Sequence, residues 1–388
     1  MVDIQQPARA EVIEDNPPLL SACLIVRDNE RSIRPCLESL LPWVDELIVV
    51  DTGSVDRTRT ICQQLGARLF DWRWRDDFAA ARNESLRHAR GRWIFWMDSD
   101  DTLPEECGRE LREIVSQDRP ENVLGYVVQV HCPGKDAGSV TIVDHVKLIR
   151  NRSDLRFEFR IHEQIVPAIR RAGGDICWTN IHVVHSGADQ SESGKRRKLD
   201  RDLRLLSLEY AERPDHPFVL FNLGMTHSEA GNLELARTYL RDCIEASMPT
   251  ESHLRKAYAI LAAVQMGSAT DTAAKKTCSE GLELFPGDPE LLFRRAMVSH
   301  RQGQLSQARD DYRQILDQPM DRFFSSRDAG VTGYKARHNL AIVYEEMGSI
   351  EEAVGQWSAI LFRRLDYAPA HDALRQLSHK SSGSIPAT

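Results

Sequence analysis

The sequence predicts an α/β domain built on a mainly parallel sheet, followed by an all-α solenoid of paired helices. Three observations carry this prediction. Apolar runs of strand length alternate with helical stripes up to about residue 117; extended segments follow with little helical signal between them; and beyond residue 191 a helical periodicity sets in that repeats itself. At ~100–200 residues per domain, the 388 residues suit two or three domains. With 41% hydrophobic and 28% charged residues, the chain is neither collagen-like nor of low complexity. The net charge of −8 has the wrong sign for coating nucleic acid or anionic lipid, so an acidic substrate needs a local basic pocket.

Taken in order, residues 1–18 are polar with Pro7, Pro17 and Pro18 and are expected to form a mobile tail. LLSACLIV, from Leu19, is a buried strand. Ile33, Cys36, Leu37 and Leu40 then form one stripe of a helix placed between Glu30 and Val44, and ELIVVD is the second strand. Ser54 offers an N-cap ahead of the stripe Ile61, Cys62 and Leu65, and Gly66 sits where that helix stops. ARLFDW is the third strand, Asp77 caps a helix from Phe78 to Arg90, and RWIFWMD is a fourth strand running into Asp98. Pro104 opens a helix to Gln117. YVVQVH, VTIVDHVKLIR, FEFRIHEQIV and DICWTNIHVVH read as a mixed or antiparallel extension of the sheet. From Ser191 to the end no strand is expected.

In that last region Leu220, Leu223, Gly224, Gly231, Ala236 and Leu240 recur as Tyr258, Leu261, Ala262, Ala274 and Pro286. They recur again as Leu292, Ala296, Gly303, Ala308, Tyr312 and Ile315, and as Leu340, Ala341, Tyr344, Gly348, Ala353 and Trp357. Small residues at matching positions let paired helices approach closely, which resembles tetratricopeptide repeats; a plain helical bundle is the alternative. Gly224, Ala262, Ala296 and Ala341 are separated by 38, 34 and 45 positions, so inserted loops are expected after the first and third units. The domains are therefore set at 19–194 and 195–388. No apolar stretch reaches the ~18–20 residues of a membrane span, and the N-terminus lacks a charged-then-apolar leader, so a cytoplasmic protein is expected. The eight scattered cysteines, with no Cys-x-x-Cys, are expected to be reduced and buried rather than metal-bound or disulfide-linked.

The chemistry is expected at Asp98-Ser99-Asp100-Asp101, where a buried parallel strand delivers three carboxylates to the end at which ligands bind. Crowded like charges favour a hard cation between them, Mg²⁺ or Mn²⁺, which also bridges phosphates; a solvated loop capping the next helix is the alternative.

LIVRDNE, VVDTGSVDRT, DDFAAARNESL and FWMDSDD, in this order and spacing, resemble the nucleotide-sugar half of glycosyltransferase family 2, which has the Rossmann-like GT-A fold. The resemblance covers residues 19–105 and reaches more loosely to His185. It implies that Val26, Arg27, Asp51 and Thr52 hold the base and ribose and that Arg82 lies near the nucleotide. It also implies that Asp98 and Asp100, flanking Ser99, form the DxD motif whose metal bridges the diphosphate of a UDP-sugar. Asp51 alternatively fastens the turn at Gly53, and Arg82 alternatively pairs with Asp76 or Asp77. Many relatives carry Asn-Glu-Glu where this chain has Asp28-Asn29-Glu30.

The architecture is similar to bacterial sublancin-type S-glycosyltransferases. A similar His-Glu segment in repeat-fused relatives makes Glu163 the candidate base, with Asp144 in reserve; Glu163 is otherwise the polar face of an alternating strand. Of His162, His182 and His185, the last, followed by Ser186-Gly187, resembles the relatives' His-x-Gly and is the candidate third metal ligand. Lys195, Arg196, Arg197 and Lys198 either attract phosphate or form a solvated helix face. The expected activity is metal-dependent, inverting hexosyl transfer from a UDP-sugar. The acceptor, a peptide side chain first, with an envelope glycan or small natural product as alternatives, is expected on the repeats, which also offer a homodimer surface. An adaptor whose transferase half is inactive is the reading from another class. A nucleotidyltransferase is the third, although no glycine-rich phosphate loop is present.

Overall fold

The computed structural model describes residues 17–134, 139–187, 191–267, 270–317, 324 and 326–382; the expected tail, apart from its last two residues, lies outside them. The first elements are β1 (Leu20–Val26), α1 (Ile33–Leu40), β2 (Glu46–Asp51), α2 (Thr58–Gln64), β3 (Arg68–Asp71), α3 (Phe78–His88) and β4 (Trp93–Met97). There follow β5 (Asp101–Thr102), α4 (Glu105–Ser116), β6 (Val123–Pro133), β7 (Val140–Arg150), α5 (Val166–Arg171) and β8 (Asp175–His185). One sheet contains them in the order β3-β2-β1-β4-β7-β6-β8-β5. The first four strands pair in parallel, and β7 adds antiparallel to both β4 and β6.

Helices cover both faces, which is why β2 and β4 are buried along their whole length. On one face Leu20, Ala22, Leu24, Trp93 and Phe95 pack with the stripes of α1 and α4. On the other, Cys23, Ile48, Ile94 and Trp96 meet Leu86 of α3 and Ile169 of α5. Each fully buried large side chain contributes about 1.5–3 kcal/mol.

The second half is α6 (Glu192–Glu212) and four antiparallel pairs. These are α7 (Pro217–Glu229) with α8 (Leu233–Ala246), α9 (His253–Gly267) with α10 (Asp271–Leu284), α11 (Pro289–Arg301) with α12 (Leu305–Asp317), and, after β9 (Ser326–Asp328), α13 (Tyr334–Glu346) with α14 (Ile350–Arg363). Helix α15 (Ala368–Ser382) follows. At Gly224 an added Cβ would lie 2.6 Å from Leu240, so the close α7–α8 approach needs glycine there. Among the described residues no helix is long and apolar enough to cross a membrane, and the eight cysteines form no disulfide.

Two segments depart from the sequence expectation. FEFRIHEQIV is not a strand: it is an irregular loop with one bridge between Glu158 and Gln164 and left-handed backbone at Phe159 (φ 73°) and His162 (φ 55°), leading into α5. Its alternating Phe159 and Ile161 are spent on α6 and α7, where they pack with Leu205, Leu206, Val219 and Leu223, and Pro167 lacks a ladder donor. Conversely, β9 arises inside the helical region and pairs with Thr141–Val143 of β7. Three polar residues, Ser-Arg-Asp, carry no alternation to announce it.

Candidate active site

The apolar run of β4 delivers Asp98 to the carboxyl end of the sheet, and the chain turns at once into β5, whose pairing with β8 sets Asp101 opposite His185. That register brings three possible metal ligands together: oxygens of Asp100 and Asp101 and a ring nitrogen of His185 lie within 4.8 Å of one another. His185 Nδ1 is 2.8 Å from Asp101 Oδ1 and 3.6 Å from Asp100 Oδ1. The hydrogen bond to Asp101 raises the imidazole pKa, and burial, with Asp98 and Asp101 nearby, raises that of Asp100.

Asp98 faces the other way. Its carboxylate accepts from Arg82 Nη2 at 3.0 Å and from Lys147 Nζ at 3.4 Å. Burial opposes its ionisation, yet Lys147 and Arg82 outweigh this and hold its pKa well below the usual carboxylate range. Lys147, wholly buried on β7, also donates to Asp101 at 3.0 Å. Both cations lie over the Trp96 ring, the Arg82 guanidinium carbon at 4.1 Å and Lys147 Nζ at 4.0 Å, and the indole N–H donates to the Val146 carbonyl at 2.7 Å. Arg82 reaches from α3 to Glu163 as well, its Nε 2.7 Å and its Nη2 2.6 Å from the same oxygen, Oε1. A buried arginine thus links the first carboxylate of the acidic turn to Glu163 in the loop before α5.

Beside this cluster the β1–α1 and β2–α2 loops are stitched into a shelf. The Val26 carbonyl accepts from Thr52 N at 2.9 Å and Thr52 Oγ1 at 3.0 Å. Asp51 accepts from Ser54 N and Oγ and from Arg59, which fastens the turn at Gly53 (φ 112°). The Asp28 side chain accepts from Val55 N and Glu30 from Arg57 N, which tie the two loops together, while Asn29 Oδ1 accepts from Arg27 N within its own loop; of the two departing residues, Asp28 supplies a loop-to-loop bond.

Residues 21–183 match the model of glycosyl transferase family 2, and residues 219–247 match a tetratricopeptide repeat. A tetratricopeptide repeat-containing protein of Synechococcus elongatus is 30% identical over 308 residues, covering 78% of this chain and 67% of that one. The chain is a family 2 glycosyltransferase joined to tetratricopeptide repeats. Glycosyltransferase SunS of Bacillus subtilis, derived from the SPbeta prophage, is 23% identical over 233 residues, 60% of this chain; the match spans 54% of SunS. Among solved structures, the tetratricopeptide protein YrrB aligns at 17% identity with a TM-score of 0.37, over 47% of this chain and 86% of its own.

In this family 2 glycosyltransferase the residues expected to act fall into three places. Asp98, Ser99, Asp100, His185, Arg82 and Glu163 share the cluster at the end of β4. Val26, Arg27, Asp51 and Thr52 form the shelf, with Arg27 exposed. Asp144 lies apart, in an ion pair with Arg327 at 3.1 Å. His182 is also elsewhere, bonded to Cys107 and stacked on His131, and Lys195 pairs with Glu192 on α6. Sequence reasoning missed Lys147 and Trp96 and gave Asp101 no role. A lysine inside VTIVDHVKLIR, otherwise buried strand, was the available signal.

Proposed function

We propose that this glycosyltransferase transfers a hexosyl group from a UDP-sugar to a peptide side chain, with inversion and with Mg²⁺ or Mn²⁺ as cofactor. The observation that carries the proposal is the pairing, through Arg82, of the acidic turn after β4 with Glu163. The donor set fits a hard cation: two carboxylates and an imidazole converge, and Asp100 is half-buried beside two further carboxylates, Asp98 and Asp101, whose charge a cation offsets. Asp100, Asp101 and His185 would hold it, and when bound it stabilises charge on the leaving diphosphate.

The remaining roles belong to the chain itself. Val26, Arg27 and Thr52 bind the base and ribose along the shelf that Asp51 fastens, and Ser99 closes it from the acidic turn. Asp98, kept ionised by Arg82 and Lys147, positions the donor rather than the metal. Arg82 holds Glu163 by Oε1, so Oε2 takes the proton of the acceptor nucleophile as it attacks the anomeric carbon opposite the diphosphate. The repeats, joined to the Glu163 loop through α6 and α7, present the acceptor; the concave surface that stacked repeats offer to protein partners supports a peptide. The test is incubation of the full chain with Mn²⁺ and UDP-glucose, UDP-galactose or UDP-N-acetylglucosamine, and in parallel with UTP and the matching sugar 1-phosphates. UDP release is the expected result; pyrophosphate formed from UTP and a sugar phosphate would assign nucleotidyl transfer instead.

A further inference from the structure

A cavity of about 200 Å³ lies between the sheet and the repeats. Its floor is a part of β7 that, among the described residues, no strand covers on one side. With β6 along one edge, β4 pairs with Leu148–Arg150 and β9 with Thr141–Val143 on the other, so among the described residues no strand runs alongside 144–147 there, and the Val146 carbonyl accepts from the Trp96 indole instead. The facing wall is Phe218 and Phe221 of α7 and His253 of α9, and Phe324, just before β9, closes a side. The inner end reaches Gln164, the neighbour of Glu163, and His145, whose ring is 5.7 Å from Trp96 and close enough to feel the charges of Asp98 and Glu163.

The charged residues around this space pair with one another. Asp144 meets Arg327 at 3.1 Å, Lys256 meets Glu290 at 2.7 Å and also donates to the Ser326 carbonyl at 2.7 Å, and Arg255 meets Asp288 at 3.8 Å. Arg327–Asp144 holds the β9 segment to the sheet, and the Lys256–Ser326 bond holds it to α9. The ion pairs also cancel charge within the wall, so the surface presented inward is aromatic and apolar. The volume is below the ~300–1,000 Å³ of clefts that take whole small ligands, and it suits one large side chain seated as an anchor.

We propose that this cavity is an acceptor specificity subsite, which seats an aromatic or large aliphatic side chain of the peptide next to the residue that Glu163 deprotonates. The proposal rests on the peptide reading above. The long loop between the third and fourth repeats then has a purpose: through β9 it walls the cavity.

Saturation-transfer NMR on the full chain tests this with N-acetyl-tryptophanamide, N-acetyl-leucinamide and N-acetyl-lysinamide as probes, each with and without UDP and Mn²⁺. Saturation is expected to reach the tryptophan and leucine probes and not the lysine probe, without competition from UDP. Ser252→Trp, at the exposed mouth, is expected to weaken the tryptophan probe by about tenfold while the melting temperature stays. Phe324→Ala, which removes the aromatic side of the cavity, gives a comparable loss should the first variant fold poorly. Equal binding of all three probes, or an undiminished tryptophan signal in both folded variants, would overturn the subsite. Probe binding without any nucleotide effect on stability supports the cavity and discards the donor assignment; nucleotide stabilisation without probe binding does the reverse.

Discussion

Lys147 and Asp101 are both fully buried, and Asp101 is the nearer of the two carboxylates that compensate Lys147. Removing one partner of such a pair strands a charge in a low-dielectric interior, which costs about 3–5 kcal/mol. Asp101→Asn is therefore expected to lower unfolding free energy by about that amount in a urea titration, far more than a surface aspartate would. Glu163 is instead the base in the proposed reaction. Glu163→Gln is expected to keep nucleotide-dependent stabilisation and to lose ~10²–10⁴-fold in transfer rate; full turnover would remove it as the base. At this scale the acidic turn was legible because three carboxylates in four positions are conspicuous without any structure. Lys147 was not, because its partners on β4 and β5 come within reach only when β7 docks antiparallel to β4.

The elements follow their hydrophobic period wherever burial is two-sided, as in β1, β2 and β4, or one-striped, as in α1 and α4. Reading failed where tertiary contacts override the pattern. The alternation of FEFRI packs on α6 and α7 rather than in a ladder, and β9 exists only because β7 offers it an edge. Helix α9 carries a further consequence of packing. His253 lies against Phe218 and Phe221, and burial pushes its pKa down to about 4, with His216 adding to the effect. The folded state thus favours the neutral ring while the unfolded chain binds a proton below about pH 6.5. Stability is expected to fall as pH drops from 6.5 towards 4, and His253→Gln should flatten that slope in thermal melts between pH 7 and 5. An unchanged slope would show that the ring is solvated.

For the molecule as a whole, the α/β sheet and the helical repeats share buried contacts. Phe159 and Ile161 share a buried cluster with Leu205, Leu206, Val219 and Leu223, Arg160 N donates to Glu209, Arg204 pairs with Asp76, and β9 joins the sheet. With so much shared core, calorimetry is expected to show one cooperative transition. Two resolved transitions would mean that these contacts are weak. None of this coupling was legible in sequence, since each side of it reads as an ordinary polar or amphipathic segment until the repeats fold back on the Glu163 loop.

The central claim, a metal-bridged nucleotide-sugar site built on the turn after β4, is tested most directly by thermal unfolding with UDP, GDP and dTDP, each with and without Mn²⁺, for the native chain and Asp100→Ala. A ligand at ~100-fold its Kd stabilises the folded state by about 2.7 kcal/mol. A rise is expected with UDP and Mn²⁺ together, and Asp100→Ala is expected to abolish it without loss of the unliganded fold. No rise with any nucleotide, or an undiminished rise in Asp100→Ala, would contradict it.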